Sequence, residues 1–381
     1  MYNFPIKEFE SKQTPFYYYD INLLRKTLGE IKTHSEKHGF IVHYAIKANA
    51  NPMILKEVNS VGFGVDCVSG GEINAAISAG FQPSEIVYAG VGKSDWEIKL
   101  ALDSNIACLN VESEPELEVI QEIASSLNKT ARVALRVNPN IDAHTHHYIT
   151  TGLAENKFGI SLELLDGIVS KALQMSNIKL VGLHFHIGSQ ITDNTPFKLL
   201  CEKINQLQNE YEARGISFES INVGGGLGID YNNPDDNPIP DFKSYFDIFK
   251  ENLVLRQGQQ LHFELGRSVV GQCGSLITRV LYVKHGLIKK FVIVDAGFTE
   301  LIRPALYQAH HKIENISNPD GVMDTYDVVG PICESSDCFG ENECLGKVCR
   351  GDVIALRSAG AYGEIMASQY NCRKLPESYF G

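Results

Sequence analysis

The sequence has no long hydrophobic run, no basic excess, no internal repeat and no low-complexity tract, and these gaps remove whole classes of function. None of its apolar stretches reaches the length needed to span a bilayer. Met1 to Phe16 carries Lys7, Glu8, Glu10 and Lys12 where a signal peptide would have an apolar core, so a secretory leader is not expected and a cytoplasmic protein is. The 34 basic against 46 acidic residues give a formal charge of −12, which argues against a nucleic-acid surface, since that requires a clustered basic footprint. An anionic small molecule would have to be held by a few local arginines. Nine cysteines, an odd number without a signal, fit reduced thiols better than a disulfide framework. Cys333, Cys338, Cys344 and Cys349 are separated by four, five and four residues and lack a C-x2-C pair, so no metal is expected. His144, His146, His147, His310 and His311 are expected at the surface or in loops.

What remains is an ordinary globular composition, 44% hydrophobic and 21% charged over 381 residues, enough for one large domain and a smaller one. Eight short apolar runs recur at Ile41–Ile46, Gly64–Cys67, Ile86–Ala89, Ile106–Val111, Ala131–Val137, Leu180–Phe185, Ser220–Val223 and Gln260–Glu264. Segments of helical character lie between them, among them 52–61, 71–80, 114–127, 162–174 and 195–214. Strands alternating with helices predict parallel βαβ units, and eight of them predict a closed (β/α)8 TIM barrel. After Glu264 the apolar runs become closely spaced, at Leu276–Val283, Phe291–Val294, Thr325–Val329 and Asp352–Leu356, with Gly and Pro turns. These predict a second, antiparallel β domain, joined by Phe16–Tyr19. The expected division is 1–25 with the β domain, 26–266 as the barrel and 267–381 as the β domain. Tyr231–Asp241, with its prolines and aspartates, reads as a surface loop after the seventh barrel strand.

Barrel enzymes place their reacting groups at the C-terminal ends of the strands, and the unusual polar residues of this chain fall there. Lys47 follows the first run and Asp66 lies in the second. Arg136 and Asn138 end the fifth, and His184 and His186 end the sixth. Gly224-Gly225-Gly226-Leu227-Gly228 follows the seventh, and the eighth ends at Glu264 with Gly266 and Arg267 behind it. Lys47 is either a Schiff-base nucleophile leaving a buried strand or a solvated strand-end lysine. The glycine run is either a tight turn or a backbone anion cradle, and its place after strand seven favours phosphate. A strand-end lysine and a phosphate site in one barrel suggest pyridoxal 5'-phosphate, which needs an acid beside its pyridine nitrogen. Glu264 suits that task, the alternative being an ion pair with Arg267. His186 could stack on the ring or be a satisfied core residue.

With Tyr44–Asn49, Asp66 and Ser69–Glu72, His184–Gln190, Gly224–Gly228 and Glu264–Arg267, the chain resembles the fold-type III, alanine-racemase-like decarboxylases of pyridoxal phosphate. The likeness continues through Asp295–Gly297, Leu301–Tyr307, Gly330–Asp337 and Gly360–Gly363, and over essentially the whole chain it is with the diaminopimelate decarboxylase family. The resemblance implies that Lys47 binds the cofactor covalently, that Glu264 pairs with its pyridine nitrogen and that His186 stacks on its ring. Ser189, Gly226, Gly266, Arg267 and Tyr362 would surround its phosphate, with Asp66, Gly224 and Gly225 nearby. Arg267, Arg303 and Tyr307 are similar to the residues that hold the distal carboxylate of meso-diaminopimelate, with Tyr362 close by. Glu334 matches the residue that meets its distal amino group. Cys333 matches a proton donor that enters from the second subunit of a homodimer, so a shared active site is implied. Leu265 departs from the family's usual proline, and Glu364 from an aromatic or apolar residue; neither is an inferred reacting group. Two other functions share part of this pattern: decarboxylation of ornithine, lysine, arginine or carboxynorspermidine, and a non-catalytic pyridoxal-phosphate carrier barrel. The first would leave paired arginines without an anion, and the second has no use for the β domain.

Overall fold

The computed structural model describes residues 4–141 and 157–381; His144, His146 and His147 lie outside them. The first strand, β1 (Phe16–Tyr19), belongs to the second unit. The next eight are β2 (Ile41–Ala45), β3 (Gly64–Cys67), β4 (Ile86–Tyr88), β5 (Cys108–Val111), β6 (Ala131–Arg136), β7 (Ile178–His184), β8 (Ser220–Asn222) and β9 (Gln260–Leu265). They form a closed parallel barrel in chain order, with Tyr44 of β2 opposite Val65 of β3 on one side and Leu265 of β9 on the other. Each matches its expected run to within two residues. The runs are continuous rather than alternating because both faces of such a sheet are covered.

Helices between the strands start where short polar side chains can accept an orphan N–H. Asn51 accepts from Met53, Ser69 from Glu72, Ser113 from Glu116 and Asp241 from Ser244. Proline occupies the first turn at Pro52, Pro115 and Pro196, where its missing N–H costs nothing. Helices over Ile21–His38, Asp95–Ser104 and Phe242–Asn252 add to the expected set. The last packs Tyr245, Phe246 and Phe249 around Phe263 of β9, with ring centroids 5.7, 4.9 and 5.0 Å away. Burying each such ring stabilises by about 2–3 kcal/mol.

Two compact units result: residues 28–228 with 241–266 form the barrel, and residues up to Thr27, Ile229–Pro240 and Arg267–Gly381 form the second. Ile229–Pro240 therefore belongs to the second unit and is more than the barrel surface loop that its composition suggests. The strands of that unit are β10 (Gly274–His285), β11 (Lys290–Val294), β12 (Ile313–Asn315), β13 (Met323–Val329), β14 (Cys338–Gly346), β15 (Val353–Leu356) and β16 (Glu377–Phe380). The sheet runs β12-β15-β10-β11-β13-β14, and β1 lies against β10 and β16. Most pairs are antiparallel as expected, β1 with β10 included, but β11–β13 and β1–β16 are parallel. The long connection from Val294 to Met323 allows the β11–β13 crossover, which a tight turn could not make. Phe4, Phe9, Phe16 and Tyr18 pack with Ile277, Ile316, Val353 and Ala355 as its core. Glu364 has a structural use here: it accepts hydrogen bonds from the Tyr19 hydroxyl at 2.6 Å and the Ser378 hydroxyl at 2.7 Å, tying β1 to the last strand. Among the described residues no helix is long and apolar enough to cross a membrane.

Candidate active site

In the barrel, β2 ends in a single tight turn that buries Ile46 and Ala48 and leaves Lys47 between them. Tyr44, fully buried, fixes this turn by donating its hydroxyl proton to the Asn49 carbonyl at 2.9 Å. The Lys47 ammonium reaches Asp66 Oδ2 at 2.9 Å, with 39% of the lysine side chain still exposed. Asp66 is fully buried, and its Oδ1 has no hydrogen-bond partner among the described residues. Burial, reinforced by the negative charge of Glu264, pushes its pKa up to about 6 against the pull of Lys47.

Glu264, at the end of β9, is the hub of the barrel's polar interior. Its Oε1 accepts from the side-chain amides of Asn110 at 3.3 Å and Asn222 at 2.8 Å, and its Oε2 faces His184 Nε2 at 2.9 Å. A carboxylate only accepts, so His184 carries its proton on Nε2. Burial opposes the charged form of Glu264, but His184 and then Lys47 outweigh it, and the carboxyl lies well below the usual range. Glu264 is an anion held in place before any cation arrives. Asp66 and Glu264 are thus two buried carboxyls whose surroundings push their pKa values apart.

His186 accepts a hydrogen bond at Nδ1 from the Gly225 N–H at 3.3 Å. Burial first, then Arg136 and Lys47, hold its pKa well below 6.5, so the ring is neutral. The glycines beside it are required. A Cβ on Gly225 would sit 2.0 Å from the Glu264 carbonyl oxygen, and one on Gly224, with φ +68°, 2.4 Å from that of Phe185. Gly226, with φ +112°, approaches the Gly188 carbonyl. The Ser189 loop is held against this run by Ile191, whose N–H donates to the Gly226 carbonyl at 2.9 Å and whose carbonyl accepts from Gly228 at 2.9 Å. Gly266 is buried directly after β9, and Leu265, fully buried, is that strand's last residue. Arg136, by contrast, is engaged by Glu112 at 2.7 Å, and Glu112 also accepts the backbone N–H groups of Gly90 and Gly159. That arginine braces the strand ends.

The second unit gathers the predicted arginines. Arg267 and Arg303 each open a short helix, Arg267–Val270 and Arg303–Tyr307, and Tyr307 lies one turn after Arg303 on the same helix face. Both guanidiniums are buried, and both donate from Nη1 to one oxygen, the Tyr231 hydroxyl, at 2.5 and 2.8 Å. Two like charges about 5 Å apart repel by roughly 3 kcal/mol at an effective dielectric of 20. Arg303 Nη1 also faces His311 Nε2 at 3.0 Å. His311 Nδ1 faces the Arg357 carbonyl at 2.9 Å, which can only accept, so Nδ1 carries the proton and Nε2 accepts from Arg303. Burial, then Arg303, lowers His311 to about 3 and keeps it neutral. His311 lies in a loop, as one half of the expectation has it, but it is a fully buried support and not a surface residue; its neighbour His310 is exposed. Burial would raise the Tyr231 hydroxyl's pKa, but Arg267 and Arg303 outweigh it and lower it. The Arg267 guanidinium also lies 4.9 Å from the centre of the Tyr362 ring.

Cys333 and Glu334 sit apart on an exposed loop. Asp337 fastens the loop by accepting the N–H groups of Ile332 at 2.7 Å and Phe298 at 2.6 Å. Tyr370 donates to Glu334 Oε1 at 2.8 Å, and Asn371 Oδ1 accepts from the Cys333 N–H at 3.5 Å. All nine cysteines are free thiols. Among the described residues no three His, Cys, Asp or Glu side chains are grouped to hold a metal.

The barrel residues fit pyridoxal phosphate on observations independent of any likeness. A preformed buried carboxylate can hold a pyridine nitrogen protonated, a partly exposed lysine is available to an aldehyde, and Gly226, beyond two glycines whose N–H groups are used by Asn222 and His186, has no Cβ to shield its backbone from an anion. The Asp66 oxygen without a partner marks a further polar position in the same interior. Asn110, Asn222 and Tyr370 were not singled out from the sequence, while Tyr231 was read as the start of a surface loop and His311 as a surface or loop residue. Asparagines inside the apolar runs of β5 and β8 were the available signal for the first two.

A sequence model of the pyridoxal-dependent decarboxylase, pyridoxal binding domain, matches residues 25–271. Diaminopimelate decarboxylase of Bacteroides thetaiotaomicron is 62% identical over 377 residues, covering 99% of this chain and 97% of the relative. The crystal structure of diaminopimelate decarboxylase from Helicobacter pylori complexed with L-lysine is 42% identical, with a TM-score of 0.91 over 98% of this chain and 93% of that one. Lysine/ornithine decarboxylase from Vibrio vulnificus, complexed with putrescine, shares the fold at a TM-score of 0.86 over 99% and 96%, with 20% identity. The lysine, the buried acid and the glycine cradle of this barrel thus occur in a chain that belongs to the pyridoxal-dependent decarboxylases and, within them, to the diaminopimelate decarboxylase family.

Proposed function

We propose that the protein decarboxylates meso-2,6-diaminopimelate at its D-centre, giving L-lysine and carbon dioxide in the last step of lysine biosynthesis. The observation that carries this choice of substrate is the buried pair Arg267 and Arg303, both donating to the Tyr231 hydroxyl, with the neutral His311 as a further partner of Arg303. Such a pair suits a carboxylate distant from the reacting carbon. Ornithine and lysine have no such group.

When bound, pyridoxal phosphate supplies an electron sink for the bond to the departing carboxylate. Lys47 would hold the cofactor covalently through its aldehyde. Asp66, at 2.9 Å from the Lys47 nitrogen and raised to about 6, can exchange a proton with it near neutral pH. Glu264 holds the pyridine nitrogen protonated. His186, neutral, packs on the ring and leaves the charge balance at that face unaltered. The N–H groups of Gly226 and Gly266 take the phosphate with Ser189 and Tyr362, while those of Gly224 and Gly225, donated to Asn222 and His186, fix the path of the run. Arg267, Arg303 and Tyr307 grip the distal carboxylate, and Glu334 meets the distal ammonium. The Cys333 thiol protonates the carbon that has lost carbon dioxide, and solvent restores the thiol. Its exposure on a braced loop supports delivery from the second chain of a homodimer. Nine free thiols suit a cytoplasmic setting.

Carbon dioxide release by the purified holoenzyme from meso-diaminopimelate, D- and L-lysine, L-ornithine, L-arginine and carboxynorspermidine tests the reading. Turnover should be confined to diaminopimelate; a higher kcat/KM on any of the others would overturn it.

A further inference from the structure

Tyr231 lies near the start of Ile229–Pro240, whose proline and aspartate content gives no hint of a binding role. Its hydroxyl nevertheless accepts one hydrogen bond from each of two buried arginines, at 2.5 Å from Arg267 and 2.8 Å from Arg303. Its ring stands edge-on to His311 at 5.2 Å and lies 5.1 Å from the Arg303 guanidinium. A phenol oxygen has two lone pairs, and each here meets a different cation. We infer that Tyr231 is the positioning residue that sets the spacing and orientation of Arg267 and Arg303, and so fixes the preference for ligands with a distal carboxylate. This rests on reading those arginines as the carboxylate's partners.

Two guanidiniums repel, and each side chain has several torsions, so a pair prepared for one carboxylate must be held together beforehand. A shared acceptor does this without a compensating negative charge. A carboxylate such as aspartate at 231 would neutralise the pair and compete with the ligand; the phenol leaves most of the positive charge unspent. The bonds also dictate which edge of Arg303 is presented. Tyr231 and His311 take Nη1, which leaves Nε and Nη2 as the parallel donors suited to a bidentate carboxylate. The conformational entropy of the two arginines is lost on folding and not on binding, which is how preorganisation raises affinity. Tyr231 acts through the arginines and is not assigned a contact with substrate.

Calorimetric titration of the holoenzyme with L-lysine and with cadaverine, which differ by one carboxylate, tests the inference in Tyr231→Phe and Arg303→Ala. Phenylalanine keeps the ring packed on His311 and removes only the acceptor, so melting temperature and cofactor loading serve as folding controls. Tyr231→Phe should weaken L-lysine roughly tenfold or more and leave cadaverine within about twofold. The KM for meso-diaminopimelate should rise similarly, with kcat within about threefold of wild type. If Arg303→Ala loses L-lysine selectively while Tyr231→Phe does not, the arginine reading stands and the inference about Tyr231 fails. If Tyr231→Phe weakens both ligands equally, Tyr231 is structural and the inference again fails. If Arg303→Ala weakens both equally, the arginine reading falls and takes the inference with it.

Discussion

Replacing Arg303 by alanine should damage the reaction selectively, and the size of the effect can be worked out from its hydrogen bonds. Of the five N–H groups on the guanidinium, Nη1 is committed to the Tyr231 hydroxyl and to His311. The Nε and Nη2 edge remains, enough for one bidentate contact. Two charged hydrogen bonds at about 1.5–3 kcal/mol each give a loss of roughly 3–6 kcal/mol, or about 10²- to 10⁴-fold in kcat/KM for meso-diaminopimelate. D-lysine keeps the reacting carboxylate and both amines but lacks the distal carboxylate, so any activity on it should change by less than about threefold. Unfolding should not confuse the comparison. The variant leaves the Tyr231 hydroxyl with Arg267 and strands only His311 Nε2, at about 1–3 kcal/mol, and it also relieves an arginine–arginine repulsion of roughly 3 kcal/mol. Carbon dioxide release on both substrates, with melting temperatures alongside, is the assay. Equal losses on the two would show that Arg303 acts structurally and would refute the reasoning.

Lys47→Ala should abolish turnover and the visible absorbance of bound cofactor; borohydride reduction and peptide mapping of the parent protein should label Lys47 and no other lysine. Lys47→Ala and Cys333→Ala should each be weak or dead alone, yet a co-expressed mixture should recover about a quarter of wild-type activity, because half the dimers are hybrids with one intact site of two; confirmed hybrids without activity would reject the shared site. Between β2 and β9 of the barrel, His43 Nε2 meets His262 Nδ1 at 2.9 Å. Burial, then His43, lowers His262 to about 3. A base with a depressed folded-state pKa contributes stability that is complete above the unfolded value near 6.5 and is lost as pH falls from there toward 3. His262→Asn should therefore shrink the stability difference between pH 7 and pH 5.5 by roughly 1 kcal/mol, measured by urea unfolding; an unchanged difference would mean that His262 is not held neutral.

The barrel was legible because parallel strands covered on both faces must be apolar throughout, and eight such runs separated by helical segments leave few alternatives. Lys47, His186, the Gly224 run and Glu264 were legible for the complementary reason: polar or Cβ-free residues stand out at the ends of apolar runs. Asn110 and Asn222 were not, since one asparagine in a strand is equally compatible with a barrel interior and a solvent edge until closure brings both to Glu264. Tyr231 and His311 were hidden by their neighbours. Prolines and aspartates mark 231–241 as a loop, and adjacent histidines suggest water, yet both side chains accept hydrogen bonds from Arg303, Tyr231 half-buried and His311 fully buried. Strand β14, whose middle reads Gly-Glu-Asn-Glu, has no apolar period because among the described residues it is the last strand on its side of the sheet and pairs with β13 alone. The parallel β11–β13 pair depends on a crossover, which composition does not record.

The proposed reaction removes the D-centre carboxylate of meso-diaminopimelate and retains the distal one. The most direct measurement supplies the holoenzyme with substrate carrying carbon-13 only in the D-centre carboxyl and follows the label by NMR and mass spectrometry. The account predicts that all of it appears as carbon dioxide and bicarbonate, leaving unlabelled lysine of the L configuration. Label retained in lysine, or lysine of the D configuration, would contradict it.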